Sequence, residues 1–580
     1  MPRINTRILL GLLALTLLAA LSSGQQSPPD LILLNGKIFT SHSAHPFVEA
    51  LAIRGERIVA IGTAEKVRTL AGPQTKRIDL GGRVVIPGIN DAHHHCGFEP
   101  AGFHLRFKSM EPVWAEVAEE LAAAVAKTPK GTLIHGEIGP VAFEDSQANR
   151  ASLDKIAPDH PVMLDTWAQH GGVLNSAAFA KFGVKEDVAD PVAGHFVRTA
   201  DGKLTGVVYE YAKFQINRRR SDMATEEEAL QQAREFFQDA VKLGITSVQD
   251  MSLPGGAERC VMASKKAPTP IRMRVVRMAG TTVNGRDKTE GRSLPVHPAP
   301  LITVSGTKWL LDGSPIERTA ALRKPYTDLP STSGELDFPE KEMEAMLRES
   351  LQNDDQLMVH AVGDRATELF LNAMDATGGP KAWSDRRVRI EHGDGIMPEL
   401  IAGVKRMGLI VVQNPTHLAL RELFVKRFGV ERADQMQPMR SLLDAGIPLA
   451  LGSDGPNNPY LNIMLATIYP GKPREAITRE QAVIAYTLTA AYAEFAEKDK
   501  GSLEPGKFAD LAVLSQDIFS VLPPELPKTE SVLTMVGGKI VHDAKAISAS
   551  ARSRESSMAN CYLASHAFAG ATPGPNGSSM

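Results

Sequence analysis

The feature that most constrains this chain is an alternation, from residue 84 to residue 451, of short apolar runs with segments of helical pattern. Strands that alternate with helices predict a parallel sheet, and a (β/α)₈ TIM-type barrel needs eight strands. Two of the runs fall between residues 98 and 225, a crossover too long for one helix, so we interpret them as an insertion. The ten candidate strands are 84–86, 132–137, 161–165, 245–249, 271–276, 303–310, 357–360, 388–391, 409–412 and 448–451.

The predicted organisation follows from this α/β pattern. The barrel occupies residues 84–499, and an inserted subdomain, 98–225, rises from the loop after the first strand. Residues 29–83 and 500–545 both contain short β segments joined by turn sequences such as "RGERI", which predicts one small β-sandwich domain built from the two ends of the chain. Residues 546–580 are rich in Ser, Ala, Gly and Pro, a composition typical of a disordered tail.

The first 24 residues have the pattern of a secretory signal peptide. Arg3 and Arg7 precede an apolar run at residues 8–21, which is shorter than the roughly 20 residues of a membrane span, and small residues follow. We therefore expect an exported protein, periplasmic or extracellular, without stable membrane insertion after cleavage; an uncleaved anchor is the alternative. The net charge of -3 gives no reason to expect a nucleic-acid partner.

Metal-capable side chains gather at the predicted carboxyl ends of the strands, where barrel active sites lie. The first of them is "VVIPGINDAHHHCGF" at residues 84–98. Side chains two residues apart in a strand share a face, so His93 and His95 can point to one ion, while His94 and Cys96 point away. Further candidates at other strand ends are Lys308, His360, His392 and Asp454.

A lone strand histidine is more often a core or surface residue than a ligand. Here, however, four of only 16 histidines fall on the predicted rim, together with an aspartate. Imidazole nitrogen and carboxylate oxygen are common ligands of zinc-type divalent metals. The sequence therefore predicts a metal site with one or two ions, most readily zinc, although iron, manganese or cobalt would suit the same donors.

These motifs resemble the amidohydrolase superfamily, whose first strand carries PG-x-x-D-x-H-x-H, and within it the amidohydrolase-3 branch that includes N-substituted formamide deformylases. The resemblance extends from about residue 30 to residue 543. It is carried by "PGINDAHHH", "QHGGVLNSAAF", "GKLTGVVYEYA", "GITSVQDM", "KWLLDGSPIERTAAL", "VHAVGDRATE", "RIEHGD", "LGSDGP" and "KGSLEPGKFADLAVL".

The resemblance implies a role for each matched residue. His93, His95 and Asp454 would bind one metal, and His360 and His392 a second. Lys308 matches a lysine that is carboxylated in many superfamily members and bridges the two ions. An unmodified Lys308 paired with Asp312 is the alternative, and Glu210 is a rival oxygen ligand.

The implied activity is hydrolysis of a non-peptide carbon–nitrogen bond, of the amide or N-formyl/N-acyl type, in a small-molecule substrate. Metal-bound hydroxide would attack, with Asp454 as general base and then general acid, and His170 as a hydrogen-bond donor or substrate contact. Alternatives are a cyclic-amide hydrolase or deaminase on the same centre, or an inactive ligand-binding barrel. The sequence specifies neither the substrate nor the oligomeric state.

Overall fold

A parallel barrel forms the centre of the molecule. The computed structural model describes residues 27–545, and within them eight strands pair in chain order, each parallel to the next. After the last strand, the Asp454 N–H donates to the His93 carbonyl (2.9 Å), which brings the two ends of the sheet together. The predicted barrel is confirmed. Its strands β1 to β8 are Ile89–His94, Ile245–Asp250, Arg272–Met278, Ile302–Leu310, Leu357–Ala361, Arg389–His392, Ile410–Gln413 and Leu449–Leu451.

One strand assignment made from the sequence was wrong. The apolar run at 84–86, expected as the first barrel strand, lies in Val84–Pro87, which pairs with strands of the terminal β region. The chain changes partners at Gly88. The Gly88 N–H donates to the Asp510 carbonyl of the terminal region, whereas the Ile89 N–H donates to the Gly244 carbonyl, just before β2. A Cβ on Gly88 would lie 2.1 Å from the Thr246 side chain. Both strands are buried and only Gly88 separates them, so they read as one continuous strand in the sequence.

The two ends of the described part of the chain form a pair of β-sheets. Leu33 and Leu51 of one sheet share a core with Val85, Leu511 and Leu533 of the other, so the sheets make a small sandwich from amino- and carboxyl-terminal segments. The four-stranded sheet runs Arg57–Gly62, Ala50–Arg54, Leu31–Leu34, Lys76–Asp79. The six-stranded sheet runs Lys539–Asp543, Ser531–Val536, Leu511–Leu514, Val84–Pro87, Lys37–Phe39, Phe47–Val48.

Between β1 and β2 the chain builds a further mixed sheet with hydrophobic cores of its own. Its strands run in the order Gly194–Arg198, Leu204–Tyr209, Gly171–Leu174, Val162–Thr166, Ile134–Ile138, Phe103–His104. Ion pairs fasten it to the barrel loops: Arg318 contacts Glu144 (2.8 Å) and Asp328 (2.9 Å), and the buried Arg427 pairs with the same two carboxylates. This inserted sheet therefore meets the barrel on the side where the strands end.

Helices follow most barrel strands and cover the outside of the sheet. Glu226–Lys242 precedes β2 and begins with a capping box, in which Thr225 and Glu228 each satisfy the other's backbone N–H. Within residues 27–545, no helix is both long enough and apolar enough to cross a membrane. The α-helices are Ala64–Arg68, Trp114–Lys127, Pro140–Phe143, Arg150–Ile156, Ser176–Lys181, Glu210–Met223, Glu226–Lys242, Ala257–Lys266, Glu340–Asn353, Asp364–Ala376, Gly379–Trp383, Ile401–Arg406, Arg421–Phe428, Val430–Ala433, Met439–Asp444, Pro459–Ile468, Arg479–Ala485 and Leu488–Ala493. The predicted signal peptide (1–24) and the predicted disordered tail (546–580) lie outside the described residues.

Candidate metal centre

Three of the predicted ligands meet where the barrel closes. His93 lies in β1, His95 follows it, and Asp454 comes three residues after β8. The Nε2 atoms of the two histidines are 3.2 Å apart, and Asp454 Oδ1 is 3.6 Å from His93 Nε2 and 3.3 Å from His95 Nε2. Three donor atoms this close to one another form a cluster into which a single cation fits.

His392 and His360 extend this cluster along the barrel mouth. His392 ends β6 and its ring centroid is 4.9 Å from that of His93, while His360 in β5 is 4.5 Å from His392. His93, His392 and Asp454 can each offer one ligand atom so that all three atoms lie within 4.8 Å of one another. The structure thus brings together the predicted ligands from strands β1, β5, β6 and β8.

Each of these histidines has one ring nitrogen held by an oxygen atom. Proteins use such bonds to fix the tautomer and the direction of a metal-binding imidazole, leaving the other nitrogen for the ion. The acceptors are Glu391 Oε2 for His93 Nδ1 (2.6 Å), the Leu253 carbonyl for His95 Nδ1 (3.0 Å), Asn414 Oδ1 for His392 Nδ1 (2.8 Å) and the Gly313 carbonyl for His360 Nε2 (3.2 Å).

The electrostatics of the site keep the imidazoles of His93, His360 and His392 neutral at pH 7. Burial, with a contribution from nearby Lys308, lowers the pKa of His93 to about 4. Burial and neighbouring positive charge also hold the pKa values of His360 and His392 well below their usual range. Burial alone would raise the pKa of Asp454, but the surrounding histidines lower it far below the usual value. A set of neutral imidazoles around a carboxylate is the protonation state that a metal ion requires.

Lys308 enters the same cluster from β4. Its Nζ is 3.0 Å from His93 Nε2 and its side chain is buried. Burial lowers its pKa to about 8. Asp312, the alternative partner, instead accepts hydrogen bonds from the backbone N–H groups of Ala321, Val362 and Gly363. The geometry therefore places the lysine among the metal-capable groups.

His170 and Glu210 come from the insertion between β1 and β2 and form a buried pair. His170 Nδ1 lies 2.6 Å from Glu210 Oε2, and the His170 ring centroid is 4.8 Å from that of His360. Glu210 is the first residue of the helix Glu210–Met223, and its own backbone lies in the left-handed region (φ 49°). Its N–H donates to the His170 carbonyl. Glu210 thus contacts His170, which itself packs beside the cluster.

The opposite face of β1 holds different partners. His94 Nδ1 is 2.8 Å from Asp250 Oδ2, and the His94 ring packs on Phe236 with centroids 4.4 Å apart. Cys96 lies near Asp250 and Cys260 rather than near Asp454. The strand period therefore divides the triple histidine as the sequence predicts.

Sequence reasoning missed the residues that orient the ligands. Glu391 and Arg389 are fully buried in β6, and Arg389 Nε donates to Glu391 Oε1 (2.7 Å) while Glu391 holds His93. Asn414, just past β7, orients His392 in the same way, through its Oδ1 atom. Charged residues two apart in a buried strand were an available signal, because they share a face and must be paired.

A parallel barrel whose mouth carries neutral imidazoles and a carboxylate fits a divalent cation, and this combination defines the class of metal-dependent hydrolases. Comparison with known proteins agrees. The family model "Amidohydrolase family" (Amidohydro_3) matches residues 76–542. The chain belongs to this amidohydrolase family, which makes it a metal-dependent hydrolase acting on carbon–nitrogen bonds.

Similar proteins span nearly the whole chain. Protein LONG AFTER FAR-RED 3 of Arabidopsis thaliana is 30% identical, over 88% of this chain and 91% of its own length. N-substituted formamide deformylase of Arthrobacter pascens is 25% identical, over 89% and 98%. The crystal structure of an uncharacterized metal-dependent hydrolase from Pyrococcus furiosus has the same fold, with a TM-score of 0.64, 24% identity, and coverage of 84% of this chain and all of that one. The resemblance inferred from the motifs is confirmed.

Proposed function

We propose that this protein is an exported enzyme that hydrolyses an amide or an N-formyl/N-acyl group of a small molecule. The observation that carries the proposal is the cluster of oriented imidazoles around Asp454 at the barrel mouth. The similarity to an N-substituted formamide deformylase supports the substrate class. Export rests on the signal-peptide pattern of residues 1–24.

The donor set would hold one or two divalent ions, zinc first, with iron, manganese or cobalt as alternatives. His93, His95 and Asp454 would hold one ion, and His360 and His392 the other. When bound, such an ion polarises the scissile carbonyl and lowers the pKa of water toward 7. Glu391, Leu253, Asn414 and Gly313 keep the four imidazoles aimed at the cluster.

Lys308 would serve both ions as a carboxylated side chain. An ammonium 3.0 Å from a ligand nitrogen would repel a cation, whereas a carbamate supplies oxygen ligands. The pKa of about 8 leaves part of the lysine population as the free amine that reacts with carbon dioxide. Intact-protein mass spectrometry of the metal-loaded enzyme, or density at Lys308, should show one added CO₂. An unmodified lysine in an active, two-metal enzyme would transfer the bridging role elsewhere, with Glu210 the first candidate.

Asp454 would move the proton. Its Oδ1 faces the Nε2 atoms of His93 and His95, so it would lie beside a water molecule held at this cluster. The carboxylate accepts the proton of that water and delivers it to the leaving nitrogen, acting first as general base and then as general acid. Its lowered pKa keeps it unprotonated at pH 7 before the attack.

His170 would contact the substrate oxygen. Glu210 holds its Nδ1, and this carboxylate raises the pKa of the ring despite the opposing effect of burial. A raised pKa favours the doubly protonated ring, whose Nε2–H would donate to the negative charge that develops on the carbonyl oxygen. In this arrangement Glu210 positions His170 instead of binding a metal.

The test combines metal analysis with a substrate panel. Protein loaded separately with zinc, manganese and cobalt is incubated with N-formyl amines, N-acyl amines, cyclic amides and amino heterocycles, and release of formate, carboxylate or ammonia is measured. Formate or carboxylate release from open-chain amides supports the proposal. Turnover of cyclic amides alone, or ammonia release from amino heterocycles alone, would assign the alternative activities. Bound metal without any turnover would favour a binding role.

Amino-terminal sequencing of the exported protein should return a start near Gln25; a Met1 start would contradict cleavage.

A further inference from the structure

Two of the chain's three cysteines meet just beyond the carboxyl end of β1. Cys96 follows His95 directly, and Cys260 lies in the helix Ala257–Lys266, far along the chain. With the buried carboxylate of Asp250 at the end of β2, they present ligand atoms that all lie within 4.8 Å of one another. The remaining cysteine, Cys561, lies outside the described residues.

Two hydrogen bonds fix the orientation of the Asp250 carboxylate, as is common for carboxylates that bind metals. Its Oδ2 accepts a hydrogen bond from His94 Nδ1 (2.8 Å), and its Oδ1 accepts one from the Ser252 N–H (2.7 Å). Carboxylates that bind metals are commonly fixed by such bonds, which leave further lone pairs on both oxygens. The direction of Asp250 relative to the two sulfur atoms is therefore set by the protein.

The nearest cationic side chains already have partners. Arg218 pairs with Glu290 (3.4 Å) and Asp222 (3.4 Å). Arg259 donates to the carbonyls of Ser221 and Ala224. Neither guanidinium is paired with Asp250, whose ion-pair partner among residues 27–545 is the imidazole of His94. The two thiols and the remaining lone pairs of the carboxylate therefore face one another without an arginine or lysine between them.

We propose that Cys96, Cys260 and Asp250 form a second cation site, separate from the histidine cluster, for zinc or another thiophilic divalent ion. Thiolates select such ions over harder cations. Ligand atoms on one tetrahedral zinc are about 3.8 Å apart, given zinc–sulfur bonds of about 2.3 Å, so the residues need to close by only about 1 Å. Each thiol releases its proton to the buffer on binding, and Cys96 is partly exposed, so solvent can complete the coordination.

The site would stabilise the loop that aims His95. The segment between Asp250 and Cys260 contains Leu253, whose carbonyl accepts from His95 Nδ1 (3.0 Å). The same segment returns to Cys96 through the Gly255 N–H, which donates to the Cys96 carbonyl (2.9 Å). An ion that joins both ends of this loop to Cys96 would restrict it and thereby hold one ligand of the histidine cluster.

Cobalt provides the test, because a cobalt–thiolate bond gives a near-ultraviolet charge-transfer band that histidine and carboxylate ligands do not give. Full-length protein, freed of metal and kept reduced, is titrated with Co²⁺. We expect the band in the parent protein. Cys96→Ser and Cys260→Ser should each lose the band and bind one equivalent of cobalt less than the parent. Cys561→Ser is the matched control and should keep the band. Circular dichroism establishes that each variant is folded, and Cys96→Ser serves if Cys260→Ser does not fold.

A second comparison separates this proposal from the catalytic one. His93→Ala should lose hydrolysis and metal at the histidine cluster while it keeps the charge-transfer band. An inactive parent protein that shows the band would overturn the proposed reaction and leave the cysteine site standing. The cysteine site would be overturned if fully reduced parent protein showed no band, or if the band persisted in both single variants, Cys96→Ser and Cys260→Ser. It would also be overturned if Cys96 and Cys260 formed a disulfide and the reduced protein still did not bind cobalt through them.

Discussion

The two faces of β1 carry nearly the same chemistry and have opposite surroundings. His93 and His95 face Asp454, His392 and Lys308 in the barrel mouth, while His94, one residue from each, faces Asp250 and Phe236. Residue type therefore says little about role at this position. The alternation of the strand, together with what each neighbouring strand places opposite, decides which imidazole can reach the metal cluster.

The largest effect should come from the inner face. His93→Ala removes a fully buried group that contacts Glu391, His95 and Lys308. We expect metal content to fall, and kcat/KM to fall by about 10³-fold or more, because the metal contributes several kcal/mol to the transition state. Inductively coupled plasma analysis and amide hydrolysis measure the two losses. Full metal content with normal turnover would show that the inner face is not the ligand face.

Asp454→Asn should separate chemistry from binding. The amide still offers an oxygen to the ion but cannot accept the proton, so we expect kcat to fall by about 10²- to 10⁴-fold while most metal is retained. Steady-state kinetics and metal analysis on the same preparation test this. A rate near that of the parent would remove Asp454 as the base.

Glu391→Gln should have an intermediate effect, because Glu391 orients His93 without reaching the ion. Loss of such a partner costs about 10- to 100-fold in metal affinity. Asp250→Asn is the matched change on the outer face, since it alters the carboxylate partner of His94. Competition with a chelator should show weaker binding at the histidine cluster in the first variant and little change there in the second.

The smallest catalytic effect should come from His94→Ala. It leaves the metal cluster intact but takes the partner from buried Asp250, which we expect to cost about 1–3 kcal/mol of unfolding free energy. Urea denaturation and metal analysis measure both quantities. If metal at the histidine cluster is lost while the protein remains folded, the division between the two faces of β1 fails.

Much of this comparison could be predicted from the sequence, because strand period and strand-end positions are local properties. They place His93, His95, His360, His392 and Asp454 on one rim, where the structure has them. Contacts between distant segments could not be predicted in this way. Glu391 meets His93, and Glu210 meets His170, only because particular strands become neighbours. The boundary at Gly88 was missed for the same reason: the strands on either side of it are both buried, and they differ in the distant segments with which they pair.

The sheet that contains Val84–Pro87 also has a consequence for biosynthesis. This strand pairs on one side with Lys37–Phe39, made early, and on the other with Leu511–Leu514, made near the end of the chain. Contacts so distant in sequence form late and slowly, and an unpaired strand edge promotes aggregation. The nascent chain therefore carries an exposed apolar edge until almost the whole protein has been translated. A ribosome that stops short of residue 511 leaves a product whose amino-terminal sheet lacks its carboxyl-terminal partner, so proteases and chaperones can distinguish it from the finished enzyme.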